Sequence, residues 1–353
     1  MKKTVPFFFL LLLTLSANAQ RGISFFLDTQ YLFDNHEFAA SAGEIIPSET
    51  FHFVRFTPGV SWSFSESADW SHSINFGLDL IKDAGSTVPF GEFIHEAPVY
   101  VNSTFNQGST LFTAVFGIYP RRLVEGWYSE LILSEETVQT DFNLEGTLLK
   151  YREGSFFAEL GMDWMGKYGY DTKERFQIFT AGSWRMADLL TLGWCGSFYH
   201  YAGSVVAPGV VDNHIIQPYA LLDLSSILPV IRLQLRASTF YSYQKDRMRE
   251  DMRHLHGYEL ELKAQWKSFY FINSASLSDD MLPFYDNCDT AGNIYGDNLY
   301  RGSKFYFGFY DRVELGWAPR LNRRTSLKLS SRLHYNPSGC LGSEQRFSLF
   351  FLL

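Results

Sequence analysis

Apolar and polar residues alternate with a period of two along most of this chain. Residues 230–243 show the unit. Ile231, Leu233, Leu235, Ala237, Thr239, Tyr241 and Tyr243 fall on one face, and Arg232, Gln234, Arg236, Ser238, Phe240 and Ser242 on the other. Successive side chains of a β-strand point to opposite faces, so the pattern separates an apolar side from a polar one. The apolar side runs for about ten residues and ends in tyrosines. That suits a tilted strand long enough to cross a bilayer, with its rings at headgroup level. Residues 257–267 repeat the unit most cleanly, with Tyr258, Leu260, Leu262, Ala264 and Trp266 opposite Glu259, Glu261, Lys263, Gln265 and Lys267.

Read in this way, the chain resolves into about sixteen strands, with fourteen the runner-up. Polar or Gly/Pro-bearing stretches at 34–50, 83–97, 120–137, 202–213, 244–256 and 279–302 read as loops, and strands are expected to resume at 138–151 and 305–317. Long and short connections alternate. Outer-membrane barrels have long extracellular loops and short periplasmic turns, so the alternation places both ends of the barrel on the periplasmic side. The expected fold class is all-β, a transmembrane antiparallel up-and-down β-barrel. Sandwich strands average about five or six residues, shorter than these runs, and no blade repeat of about 40–50 residues is present.

Lys2 and Lys3, the apolar run at 7–15 and Ala17-Asn18-Ala19 read as a secretory leader over residues 1–19. Residues 20–353 are then a single barrel domain. Mean hydropathy is −0.11 although 17% of residues are aromatic, the balance expected when lipid-facing and water-facing residues alternate. A net charge of −8 opposes nucleic-acid binding. The three cysteines cannot all pair internally; Cys288 and Cys340, both in expected extracellular loops, are the pair that could bridge. No cofactor, metal centre or catalytic site is expected, since no nucleophile-elbow motif or zinc-spaced cluster occurs. Glu159 and Asp163 lie about 13 Å apart on one strand face, too far to act as a carboxylate pair.

A cleavable leader, alternating strands, aromatic borders and a terminal strand carrying Phe347, Leu349, Phe351 and Leu353 on one face together resemble bacterial outer-membrane β-barrel proteins of the porin-like kind. The terminal Leu353, in place of a phenylalanine, suits a lineage distant from the proteobacterial members, Bacteroidota-like. The resemblance implies an outer-membrane location in a Gram-negative envelope, a lipid-bilayer environment, recognition of the last strand by the barrel-assembly machinery, and a monomeric or homo-oligomeric state.

Arg232, Arg236, Glu259, Glu261, Lys263, Arg312, Glu314, Lys328, Arg332 and His334 fall on the polar faces of successive strands and form the expected pore lining. The function expected is passive diffusion of small solutes. The alternative is a non-conducting barrel that binds surface glycan or another envelope protein, because Phe26, Phe157, Phe240, Tyr270, Tyr306 and Tyr310 on inward faces could fill the lumen. The 279–302 loop is expected to be solvated. It could instead fold into the pore, or gather Asp286, Asn287, Asp289, Asn293 and Asp297 around a hard cation.

Overall fold

The computed structural model describes residues 22–39, 46–65, 67–86, 93–228 and 230–353. The leader read at 1–19 lies outside them. Among the described residues no helix is long and apolar enough to cross a membrane.

The chain closes into an antiparallel barrel of sixteen staves. They are β1 (Gly22–Phe38), β2 (Glu49–Ser65), β3 (Trp70–Gly77 with Asp79–Asp83), β4 (Ile94–Glu96 with Val99–Gln107), β5 (Thr110–Pro120), β6 (Asn143–Glu153), β7 (Phe156–Gly166) and β8 (Glu174–Arg185). The others are β9 (Leu190–Ala202), β10 (Val210–Asp223), β11 (Arg232–Asp246), β12 (Asp251–Trp266), β13 (Phe269–Ser278), β14 (Gly308–Trp317), β15 (Thr325–Asn336) and β16 (Gly339–Leu352). Each stave pairs with the next, and β1 closes on β16 from Asp28 opposite Leu352 to Phe38 opposite Gly342.

The sheet contains two further strand segments because β3 and β4 are each broken once. Pro98 has no N–H to continue the ladder. The gap is bridged by Gly77 N–H donating to Pro98 O at 2.9 Å and Leu78 N–H to Pro58 O at 3.1 Å.

The apolar faces point outward. Ile74, Phe76, Leu160, Leu260, Leu277 and Leu315 are 41–61% exposed, a continuous apolar surface that hydrocarbon covers and water would not. The polar faces point inward, where Asp34, Arg55, Asp79, Glu159, Gln217, Glu314, Arg332 and Arg346 are buried.

Several boundaries differ from the sequence reading. Residues 244–256 are mostly wall: β11 runs to Asp246, a four-residue turn follows, and β12 starts at Asp251. Its early residues Arg253 and His254 are exposed, so the strand carries no apolar face there. β1 and β2 likewise run further than expected, to Phe38 and from Glu49. Residues 138–142 are not strand, and β14 begins at Gly308, whose φ of +64° suits glycine. Phe305 and Tyr306 therefore lie in the preceding loop, and Phe305 stacks on Tyr310 at 4.9 Å. The longest connections are 121–142, here the inner loop, and 279–307, here the lid loop. Their side of the barrel is called the loop end and the opposite side the turn end.

The inward aromatics occupy less of the lumen than their number suggests. Phe26, Phe179, Phe240 and Tyr270 lie directly opposite Gly59, Gly161, Gly257 and Gly316 on neighbouring staves. In each pair a ring atom sits 2.1 Å from where a Cβ would be. Each ring thus lies flat on the wall over a glycine. Gly316→Val removes that space, and overpacking of this kind costs about 1–3 kcal/mol. The expected result is a lower urea midpoint for loss of the compact band on an unboiled gel. An unchanged midpoint would show that Tyr270 has room elsewhere.

Candidate functional site

Pro120 ends β5, and the chain turns into the lumen through a 3-10 turn at Arg121–Leu123. Arg121 pins the neck of the inner loop. Its Nε donates to Asp141 O and its Nη2 to Asp141 Oδ2, each at 2.7 Å. The wall then holds the loop at successive points. Glu159 of β7 accepts from Glu125 N–H at 3.0 Å, Gly126 N–H at 2.8 Å and Tyr128 O–H at 2.9 Å. Gly126 is required there, because a Cβ would meet the Glu159 carboxylate at 2.4 Å. Trp127 packs between the Arg236 guanidinium, 3.9 Å from its ring centre, and Tyr219. Ser129 O–H donates to Gln217 of β10 at 2.5 Å. Leu131 and Ile132 join Ala181, Cys195, Ile215, Phe240 and Met281 in an apolar cluster inside the barrel.

The loop ends in a short helix, α1 (Glu135–Thr140), whose N-terminus is capped by Ser134 Oγ accepting from Thr137 N–H. Gln139 of α1 accepts from Gln30 of β1 at 2.7 Å. Just before and within α1, two carboxylates meet the basic wall of β14, β15 and β16. Glu130 lies 2.8 Å from Arg312 and 3.6 Å from Arg332. Glu135 lies 3.1 Å from Lys328 and also bonds Arg332 and Arg346. The wall cations are in turn held by wall acids. Glu314 contacts Arg332 at 2.7 Å and Lys328 at 3.2 Å; Glu344 contacts Arg332 at 3.3 Å and His334 at 3.2 Å; Asp34 accepts from Arg346 Nε at 2.8 Å.

Burial alone would raise the Glu130 carboxyl, but the guanidiniums of Arg312 and Arg332 hold it below its ordinary value. Glu136, beside it on the loop, is raised, first by burial and then by the charge of Glu49.

Of the ten expected lining residues, Arg312, Glu314, Lys328, Arg332 and His334 come together in this constriction. Arg236 and Glu261 form a separate pair at 2.6 Å, with Arg236 under Trp127. Glu259 is buried and accepts from Tyr306 O–H at 2.8 Å. Arg232 and Lys263 are exposed toward the turn end, apart from the cluster. Sequence reasoning missed Glu130, Glu135, Asp34, Glu344 and Arg346. One signal was available for α1: Ser134 followed by Glu135-Glu136 is a helix-start pattern.

The lid loop is not solvated throughout. Phe284, Tyr295, Leu299 and Tyr300 pack on Tyr199, Tyr201 and Val211 across the loop end. The lid also docks on the inner loop: Ser134 N–H donates to Arg301 O at 3.0 Å and Ser303 N–H to Glu130 O at 2.6 Å.

Its oxygen-bearing residues do not gather around a point. Asp289 is satisfied by the N–H groups of Ala291 and Asn293, Asp297 pairs with Lys304 at 2.8 Å, and Asn287 donates to Asp246. The hard-cation arrangement is therefore not formed, and the constriction belongs to the inner loop instead. Cys195, Cys288 and Cys340 are all free thiols, so the bridge open to Cys288 and Cys340 is not formed.

Three spaces lie around the constriction. A cavity of about 440 Å³ lies between the inner loop and β1–β2, lined by Asp28, Arg55, Arg122, Trp127 and Phe142 among others. It shares Asp28, Arg122 and Phe350 with a vestibule of about 650 Å³ at the turn end, which also presents Arg320, Arg323 and Arg324. At the loop end a cavity of about 70 Å³ is lined by His36, Glu49, Glu130, Glu136, Arg332 and Arg346 among others.

A closed antiparallel barrel with an apolar exterior, a polar interior and a long loop folded inside it is the outer-membrane porin fold. Solved structures share it along nearly the whole chain. OmpT of Vibrio cholerae, folded in vitro, matches with a TM-score of 0.54 at 8% identity, covering 96% of this chain and 99% of that one. OprD of Pseudomonas aeruginosa matches with a TM-score of 0.53 at 11% identity, covering 96% of each. An anion-selective porin from Comamonas acidovorans matches with a TM-score of 0.51 at 11% identity, covering 94% of this chain and 99% of that one. No protein-family model matches the sequence, and no curated protein matches it.

Proposed function

We propose that the protein is a porin-like, non-enzymatic channel of the outer membrane through which small polar solutes diffuse passively. The observation that carries this reading is the inner loop. It sets Glu130 and Glu135 against Arg312, Lys328, Arg332 and Arg346 inside the barrel, with cavities of about 70 Å³ and 440 Å³ on either side. Opposed carboxylates and cations across a narrow lumen discriminate solutes by size and charge. The long loops lie outside the cell and the turns in the periplasm.

The test is single-channel recording of the refolded chain in a planar bilayer, with an unboiled gel as the folding control. Steady conductance steps support the channel. A folded protein that never conducts overturns it and favours a binding barrel. One observation favours that second reading: the loop-end cavity shares no lining residue with the two turn-end spaces, and the Glu135 bridges lie between them.

A further inference from the structure

His36 lies on the inward face of β1 near the loop end, Glu49 opens β2 opposite it, and Glu136 is the second residue of α1. One ligand-capable atom from each lies within 4.8 Å of the other two. All three line the 70 Å³ loop-end cavity. A water needs about 10–15 Å³ of such space, so an ion with a few waters fits.

His36 is 5% exposed, and its Nε2 faces the wall acid Asp34. That nitrogen sits 3.2 Å from Asp34 Oδ2. Among the described residues, neither Glu49 nor Glu136 has a side-chain hydrogen bond or salt bridge. Lys304 borders the same cavity, but its ammonium is 2.8 Å from Asp297. Two carboxylates and a buried imidazole thus face one small space whose basic residues, Lys304, Arg332 and Arg346, are each paired with other acids.

We propose that His36, Glu49 and Glu136 form a binding site for one divalent first-row transition metal. One imidazole nitrogen and two carboxylate oxygens are each zinc ligands, and three of them leave a fourth tetrahedral position to water. The nitrogen donor sets this site apart from calcium and magnesium sites, which take oxygen throughout. Two ligands, each about 2.1 Å from an ion, are at most about 4.2 Å apart. Closing from 4.8 Å or less therefore needs only small side-chain movements. Asp34, against His36 Nε2, supplies the carboxylate that orients the imidazole for ligation through its other nitrogen, Nδ1. Bound metal joins β1, β2 and α1, and so holds the neighbouring Glu135 against the basic wall. The site stands on its own residues and does not depend on the channel reading.

The test uses the refolded full chain in detergent, stripped with EDTA, equilibrated with zinc chloride and desalted. Retained zinc is counted by mass spectrometry. Glu136→Gln and Glu49→Gln are carried in parallel, with gel mobility confirming that each is folded. Glu136 is on a loop helix, so its variant leaves the wall intact. The expected result is one more zinc per chain in the parent than in either variant, with at least a tenfold weaker zinc affinity in the variants. Excess calcium chloride should leave the retained zinc in place. Failure of the parent to retain zinc overturns the proposal, as does equal retention by parent and both variants, which would place the ion on other histidines.

Discussion

Glu135→Gln raises single-channel conductance and moves ion preference toward anions. The carboxylate of Glu135 contacts Lys328, Arg332 and Arg346 together, so it is the point at which the inner loop meets the basic wall most closely. An amide has the same shape but no charge, and hydrogen bonds to charged groups are worth about 1.5–3 kcal/mol each. Losing that charge frees α1 from the wall. The rest of the loop stays in place through Arg121, Glu159 and Trp127, so the barrel still folds. One unit charge about 4 Å from a passing ion is worth about 1 kcal/mol even at the dielectric of water. The same charge acts with opposite sign on an anion and on a cation, so the anion-to-cation permeability ratio should rise by up to about thirtyfold.

Acid should release the Glu130 contacts of the same loop only well below neutral pH. Glu130 is held below its ordinary value, so its contribution to docking is complete above the unfolded carboxyl value of about 4.3. It is lost only as pH falls through the lowered one. Reversal-potential measurements in a salt gradient decide the matter. An unchanged ratio together with unchanged conductance would mean that solutes do not pass Glu135.

The wall was legible in the sequence because a bilayer demands an apolar outer face on every stave, and a period of two reports it directly. Tyr258, Leu260 and Trp266 against Glu259, Glu261 and Lys263 needed no other information. The signal failed where strands leave the membrane. Arg253 and His254 belong to β12 but stand beyond the lipid, and without an apolar face a strand reads as a charged loop.

The inner loop was hidden for a different reason. Glu135 meets Lys328 and Arg332 from 193 and 197 positions away, and no local period encodes that meeting. The flat aromatics were hidden by register. Phe240 reads as a lumen filler until Gly257 is known to lie opposite it.

Arg346→Ala lowers the stability of the barrel by about 3 kcal/mol, at the low end of what breaking a buried ion pair costs. Arg346 is 4% exposed and lies opposite Asp34 across the seam where β16 closes on β1. Its guanidinium serves Asp34, Glu135 and, at 3.9 Å, Glu344. Without it Glu135 keeps Lys328 and Arg332, and Glu344 keeps Arg332 and His334. Asp34 is left with His36 alone, at a site with almost no access to solvent. The cost therefore falls on the seam.

Asp34→Asn combined with Arg346→Met removes both charges and keeps most of the packing volume. Such paired replacement is often neutral, so the double variant should recover most of the loss in urea titrations followed by gel mobility. A double variant as unstable as Arg346→Ala would show that the arginine acts through packing or through Glu135. Because Arg346 also holds Glu135, the single variant should conduct more as well as unfold earlier, whereas Glu135→Gln should change conductance alone. That difference separates the closure of the barrel from the closure of its lumen.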